Sequence, residues 1–170
     1  MKNIIPAFIL LFILSGTSLY SQPATLDPYF GNGGKVTTFS GATDYGSISS
    51  IALQPDGKIV ATGYTYSSIT AEYYFKTARY NVDGALDTTF GTGGIVISKI
   101  GSNDDEAMAV IIQPDGKILL SGYSLFNTNY DFAILRLKSD GSPDSTFGLN
   151  GIVVKDLGDD EFGNTMALQS

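Results

Sequence analysis

Hydrophobic and polar residues alternate in short runs over most of this chain. Between positions 74 and 81, Phe75, Thr77 and Arg79 alternate with Lys76, Ala78 and Tyr80, which is the period of a β-strand. The runs are separated by turn residues such as Pro55-Asp56-Gly57, where Pro presets φ and Gly supplies the positive φ of a tight hairpin. No stretch after the N-terminus has a helical period. The pattern therefore predicts antiparallel strands joined by short turns.

The N-terminus has a different pattern. Lys2 precedes an apolar run from Ile4 to Leu14, and a segment rich in small residues, Ser15-Gly-Thr-Ser-Leu-Tyr-Ser21, follows. A positive start, a short apolar stretch and a small-residue exit are typical of a secretory signal peptide. The alternative, a membrane-spanning helix, needs about 20 apolar residues. We expect residues 1–21 to be a cleaved signal peptide, no membrane span after cleavage, and a protein secreted from a bacterium or held at its surface.

The rest of the chain repeats itself at intervals of roughly 60 residues. Three segments align: Leu26-Asp-Pro-Tyr-Phe-Gly-Asn-Gly-Gly-Lys-Val36, Leu86-Asp-Thr-Thr-Phe-Gly-Thr-Gly-Gly-Ile-Val96 and Pro143-Asp-Ser-Thr-Phe-Gly-Leu-Asn-Gly-Ile-Val153. In the same register, Gln54-Pro-Asp-Gly-Lys-Ile59 returns as Gln113-Pro-Asp-Gly-Lys-Ile118, and Gly63-Tyr64 returns as Gly122-Tyr123. Several independent anchors in one register indicate true structural repeats.

Each repeat carries four strand patterns, as a β-propeller blade requires. The predicted fold class is all-β, with antiparallel four-stranded blades of an incomplete propeller. The predicted boundaries are a linker with an orphan N-terminal strand over 22–46 (the strand itself at 34–39), a first blade over 47–100, a second over 101–157, and the start of a third over 158–170.

The anchors resemble those of the delta-60 repeat family of secreted bacterial proteins. The resemblance lies in Leu-Asp-x-x-Phe-Gly-x-x-Gly-x-Val followed by Gln-Pro-Asp-Gly-Lys-Ile and Gly-Tyr, and it covers nearly all of residues 26–170. It implies a propeller fold and little about activity.

Two blades are fewer than the about 4–8 that close a propeller ring. Residues 166–169 also repeat the end of a blade's first strand. We therefore expect further repeats in a longer parent chain, with assembly of short chains into a ring as the alternative.

Composition removes several function classes. The 170 residues include no Cys, His or Trp, which excludes disulfides, thiol nucleophiles, imidazole metal sites and Ser-His-Asp triads. The net charge of −7 and the pI of about 4.3 argue against a nucleic-acid partner.

The acidic loops between blades are candidates for a weak Ca²⁺ site or for binding a basic ligand. The alternative is that Asp simply favours solvated turns, and no dedicated Ca²⁺-loop spacing is present. No other cofactor is expected. The weak metal candidates are Asp104, Asp105, Glu106, Asp159 and Asp160.

Aromatic residues near the predicted loops offer a second candidate surface, for an extracellular protein or a glycan. The alternative is that they only cover blade edges. The candidate binding face consists of Asp44, Tyr45, Tyr66, Tyr73, Phe126 and Tyr130.

The repeat anchors are expected to be structural, because a site that recurs in every unit is not typical of catalysis. We expect the Phe residues to fill the space between blades, the Gly residues to permit positive φ, and the Asp residues to cap their own turns. These anchors are Asp27, Phe30, Gly31, Gly34, Asp87, Phe90, Gly91, Gly94, Asp144, Phe147, Gly148 and Gly151.

No catalytic residue is predicted. Sialidases on propeller scaffolds use a cluster of three arginines, whereas this chain has only Arg79 and Arg136, at equivalent repeat positions. The sequence favours a secreted, non-catalytic scaffold or binding module. The alternatives are a hydrolase fragment whose catalytic residues lie mostly elsewhere, and a structural spacer without a ligand.

Overall fold

A computed structural model describes residues 25–38 and 45–169. Within these ranges every regular element is a β-strand, so the all-β prediction is confirmed. The signal-peptide prediction lies outside the described residues. The described ranges contain no helix long and apolar enough to cross a membrane.

The eight strands form two four-stranded antiparallel sheets. Blade 1 consists of β1 (Tyr45–Leu53), β2 (Ile59–Ser67), β3 (Glu72–Tyr80) and β4 (Ile95–Ser98). Blade 2 consists of β5 (Asp105–Ile112), β6 (Ile118–Phe126), β7 (Asn129–Leu137) and β8 (Ile152–Lys155). Strands follow each other in chain order across each sheet, which is the arrangement of a propeller blade.

The Pro-Asp-Gly turns form the first hairpin of each blade. In blade 1 the backbone N–H of Gln54 donates to the Lys58 carbonyl at 2.8 Å, and Gly57 adopts a φ of 84°. The Asp56 carboxylate also accepts the Lys58 amide. The same turn recurs between β5 and β6, where the Gln113 amide donates to the Lys117 carbonyl.

Both blades carry a bulge at the same place in their first strand. The register shifts between Ile48 and Ser50 in β1 and between Ala107 and Ala109 in β5. Opposite each bulge lies a glycine, Gly63 or Gly122, and a Cβ on either would overlap the facing backbone carbonyl. The recurring Gly-Tyr anchor therefore marks a close approach of two strands.

The two sheets pack face to face, and this interface forms the main core. Blade 1 contributes its trailing face, which we define by Val60, Phe75 and Thr77. Blade 2 contributes its leading face, which we define by Ala107, Val110, Leu120, Ala133 and Leu135. Apart from Thr77, which is also buried, these side chains share one apolar cluster with Phe90.

The leading face of blade 1 (Ile48, Ile51, Ala61, Ala78) has a different environment. Val36 of the N-terminal segment packs at one side of it, and the Thr38 hydroxyl contacts the Tyr80 hydroxyl at 2.6 Å. Ile48 and Ile51 are exposed. A groove of about 500 Å³ opens here, lined in part by Val36, Ile48 and Tyr80.

Two predicted orphan strands are not formed by the described residues. The strand expected over 34–39 is wrong for residues 34–38, where only Lys35 makes an isolated bridge, to Gly31; position 39 lies outside the described residues. Residues 166–169 are also not a strand. Neither segment joins either of the two sheets formed by the described residues, and a strand forms only where its backbone groups find partners.

Candidate functional site

Four tyrosines of blade 1 pack together where β1 begins and β2 passes into β3. Tyr45 stacks on Tyr66 with ring centroids 4.8 Å apart, and Tyr73 meets both rings at 6.2 and 5.0 Å. Tyr64 contacts Tyr73 edge-on at 5.5 Å. The Tyr45 and Tyr73 hydroxyls are hydrogen-bonded at 2.9 Å. The rings form one packed group, from which Tyr45 remains 53% exposed.

Blade 2 has a matching aromatic cluster at the equivalent end. Tyr123 and Tyr130, which correspond to Tyr64 and Tyr73, meet edge-on with centroids 5.2 Å apart. Phe162, from the segment after β8, completes the cluster at 5.0 Å from Tyr123 and 5.6 Å from Tyr130. Phe162 remains 48% exposed.

The connection between the blades joins the two clusters. The Tyr73 amide donates to the Asn103 carbonyl at 3.2 Å, and the Tyr130 hydroxyl lies 3.5 Å from the Asp104 carboxylate, to which it donates. Asp104 therefore lies between the clusters, and both sit at one end of the paired blades. We call this surface the aromatic end: Tyr45, Tyr64, Tyr66, Tyr73, Asp104, Tyr123, Tyr130 and Phe162.

The environment raises the pKa of several of these hydroxyls above the ordinary value of about 10. The hydrogen bond from Tyr45 is the largest of the effects that raise the pKa of Tyr73 to about 12. Burial is the largest effect that raises the pKa of Tyr123, and the hydrogen bond with Glu106 is the next largest. Burial is also the largest effect that raises the pKa of Tyr130, and the negative charge of Asp104 is the next largest. At neutral pH these phenols, like ordinary tyrosines, are protonated and can both donate and accept hydrogen bonds.

The predicted binding face is only partly assembled. Tyr45, Tyr66 and Tyr73 lie in the first cluster and Tyr130 in the second, whereas Phe126 packs beside Gly101. Asp44 lies outside the described residues. The prediction missed the ring partners Tyr64, Tyr123 and Phe162. The repeated Gly-Tyr anchor carried the signal for Tyr64 and Tyr123.

The five weak metal candidates do not converge in the structure. Asp105 is fully buried and accepts the Ile100 and Gly101 amides and the Ser124 hydroxyl, so it caps the connection between blades. Asp160 accepts the Tyr130 amide at 3.0 Å, and Asp159 is exposed. In the described part of the chain, the acids that gather are instead Asp131, Asp156 and Glu161.

Two of the anchor aspartates, Asp87 and Asp144, occupy a repeated ionic site. Asp87 accepts the Thr89 amide and hydroxyl at 3.1 and 2.6 Å, and its other oxygen binds Arg79 at 2.9 Å and Lys58 at 3.1 Å. The Thr89 hydrogen bond, followed by those from Lys58 and the Thr89 amide, holds the pKa of Asp87 well below its ordinary value against the opposing effect of burial.

The same site recurs in blade 2. Asp144 accepts the amide and hydroxyl of Thr146 and binds Arg136 at 2.8 Å, and the Thr146 hydroxyl is the main cause of its lowered pKa. At the first anchor, Asp27 accepts the Tyr29 amide. Each anchor aspartate thus holds its own turn.

Two of the three anchor phenylalanines lie under arginines. The Arg79 guanidinium is 4.6 Å from the Phe90 ring centre, and that of Arg136 is 4.4 Å from Phe147. Phe90 is fully buried in the interface core, whereas Phe30 and Phe147 are half-buried. Arg79 also donates to the Ser139 carbonyl of blade 2 at 2.5 Å, so this residue ties the two blades together.

The anchor glycines adopt left-handed backbone conformations. A Cβ on Gly91 would overlap the Ile95 carbonyl, and Gly94, with a φ of 93°, lies against Leu86. The Gly91 amide donates to the Asp140 carbonyl of the next blade at 2.8 Å. All six anchor glycines have positive φ: Gly31, Gly34, Gly91, Gly94, Gly148 and Gly151.

Comparison with known proteins agrees with this architecture. Residues 54–90 and 113–147 match a family model described as "Domain of unknown function (DUF5122) beta-propeller". Each match runs from the Pro-Asp-Gly hairpin of one blade to its anchor phenylalanine. The two sheets and the two matches define a repeat protein of the β-propeller type. The narrower delta-60 name stays a prediction. A comparison with curated proteins finds no match to this chain.

Proposed function

We propose that this chain is an extracellular, non-catalytic binding module and that the aromatic end binds glycans. The observation that carries the proposal is the pair of aromatic clusters joined through Asp104. The signal-peptide pattern of residues 1–21 supports the proposal that the chain is secreted.

The chemistry of the aromatic end suits a sugar ligand. Exposed rings offer apolar faces on which the C–H side of a sugar ring can stack, and rings held by neighbouring rings lose little conformational freedom on binding. Asp104 and the tyrosine hydroxyls supply acceptors and donors for sugar hydroxyls. Tyr45 and Phe162 are the more exposed ring of each cluster.

The proposal is of binding rather than hydrolysis. Both arginines are already engaged, Arg79 with Asp87 and Arg136 with Asp144, and these pairs lie under the repeated turns rather than at the aromatic end. Their recurrence in both blades supports a structural role.

A glycan array probed with the full-length chain tests this function. Tyr45→Ala and Phe162→Ala should each weaken binding by about tenfold or more, as truncation of an aromatic contact residue does. Tyr29→Ala is the matched control, since Tyr29 is exposed but lies outside the aromatic end, and it should bind as the unchanged chain does. Unaltered glycan binding by a Tyr45→Ala, Phe162→Ala double variant, or no binding to any glycan of the array, would refute the proposal.

A further inference from the structure

The two blades carry opposite charge patterns at one equivalent corner. In blade 1, Lys99 follows β4 and binds Glu72 at 2.8 Å, while the Tyr74 hydroxyl donates to the same carboxylate. The register Phe75–Ser98 in blade 1 matches Phe132–Lys155 in blade 2. The residues that correspond to Tyr74 and Lys99 are therefore Asp131 and Asp156.

In blade 2 a third acid joins this corner. Asp131 comes from β7, Asp156 follows β8, and Glu161 lies in the segment that crosses back over the start of β7, where its amide donates to the Tyr130 carbonyl at 2.6 Å. One carboxylate oxygen from each acid lies within 4.8 Å of the other two. Two oxygens bound to one Ca²⁺, each at about 2.4 Å, are at most about 5 Å apart, so the spacing fits a shared ion.

The burial of Asp131 is a separate observation that points to a ligand. The residue is 6% exposed, yet its carboxylate accepts no hydrogen bond from any residue in the described part of the chain. One carboxylate oxygen of Glu161, Oε2, is also buried without a partner. Buried charges in proteins are normally paired or coordinate a metal.

The local electrostatics also favour a bound cation at this corner. Burial is the main effect that raises the pKa of Asp131, and the charges of Asp156 and Glu161 raise it further. Negative charge therefore accumulates at this corner without compensation from a described cation, in contrast to Lys99 in blade 1.

We propose that Asp131, Asp156 and Glu161 form a divalent cation site, with Ca²⁺ as its ion. Carboxylates are hard oxygen ligands, which favours Ca²⁺ or Mg²⁺ over metals that prefer nitrogen or sulfur. Three acids on three separate segments make an irregular set, which Ca²⁺ accepts more readily than the octahedral Mg²⁺ does. The ion would tie β7 to the segment that carries Phe162. The site does not depend on the glycan-binding proposal.

Thermal unfolding of the full-length chain tests the site. Moving from EDTA to about 10 mM CaCl₂ should raise the melting temperature by about 5 °C, as binding in the sub-millimolar range typical of extracellular modules implies. The same concentration of MgCl₂ should give a smaller shift. A melting temperature that is equal in EDTA and CaCl₂ would overturn the proposal.

Variants separate this site from general attraction of cations to an acidic protein. Asp131→Asn should abolish the CaCl₂ shift, and in EDTA it should melt at the same or a higher temperature, because it removes a buried repulsive charge. Asp159→Asn, an exposed acid of the same segment outside the cluster, is the matched control and should keep the full shift.

A second variant protects the test against misfolding. Asp156 is exposed, so Asp156→Asn will leave the fold intact, and it should weaken Ca²⁺ binding in calorimetric titration by about tenfold or more. Retention of the CaCl₂ shift by Asp156→Asn, or its equal loss in Asp159→Asn, would contradict the assignment.

Discussion

The leading faces of the two blades carry equivalent apolar residues in opposite environments. Ile48 and Ile51 of blade 1 are 62% and 68% exposed, whereas Ala107 and Val110 at the same positions of blade 2 are 0% and 7% exposed. The difference arises because the trailing face of blade 1 covers blade 2, and no described segment covers blade 1 to the same extent. Each repeat therefore presents an apolar face whose burial depends on its neighbour.

The ionic sites under the anchor turns show the same dependence. Arg79 reaches across to the Ser139 carbonyl of blade 2 and is well buried, whereas Arg136 keeps more of its side chain in solvent. Identical sequence anchors thus differ in burial according to whether a described blade packs against them.

The largest expected effect comes from placing a charge in the covered leading face. Ala107→Asp buries an unpaired carboxylate between the blades and should lower the free energy of unfolding by about 4 kcal/mol. Ile48→Asp, at the equivalent position of blade 1, should change it by at most about 1 kcal/mol. Urea denaturation of both variants measures the difference. Equal losses would mean that the two faces are covered alike.

A smaller difference is expected between the anchor aspartates of the two blades, Asp87 and Asp144. Asp87→Asn removes the partner of a buried arginine and should cost about 3 kcal/mol of unfolding free energy. Asp144→Asn should cost about half as much, because Arg136 retains access to water. Urea denaturation at neutral pH gives both values, and a greater loss for Asp144→Asn would contradict the expectation that Arg79, the more buried arginine, depends more on its carboxylate partner.

The anchor aspartates also predict how stability depends on pH. The pKa values of Asp87 and Asp144 are lower in the folded chain than in the unfolded chain. Their contribution is therefore complete above the unfolded pKa of about 3.9 and is lost as the pH falls further, through the folded values. The difference in melting temperature between the unchanged chain and Asp87→Asn should shrink between about pH 4 and pH 2. A difference that grows on acidification would refute this role.

The smallest effect is expected at the aromatic end. The pKa of Tyr73 is raised to about 12, chiefly by its hydrogen bond to Tyr45, so Tyr45→Phe should return it toward the ordinary value of about 10. The stabilising effect of that bond is present below about pH 10 and is lost as the pH rises through the folded pKa. An NMR titration of ring-labelled tyrosines measures the change, with Tyr29→Phe as a control that leaves Tyr73 unaltered.

The sequence predicted the strands and turns well because their causes are local. Pro-Asp-Gly turns, alternating side chains and a repeated register determine hairpins within a few residues of each other. The strand predicted over 34–39 does not form at the described residues 34–38, because a strand also requires a paired neighbour. That requirement depends on the rest of the sheet and not on the segment itself.

The candidate site was harder to predict because it joins residues that are distant in sequence. Phe162 meets Tyr123 and Tyr130 only after the chain has crossed the end of blade 2. Likewise, an acidic run predicted a metal site at Asp104 and Asp105. The Asp105 carboxylate instead accepts hydrogen bonds from backbone amides. The acids that do gather come from three separate segments.

Thiol labelling tests the stacking of the blades most directly. The chain contains no cysteine, so Ile51→Cys and Val110→Cys each introduce a single thiol, at equivalent positions of the two blades. If blade 1 covers blade 2, the thiol at position 51 reacts at the rate of a free thiol, and the thiol at position 110 reacts at least about 100-fold more slowly until the chain unfolds. Equal labelling rates in the folded protein would contradict the account.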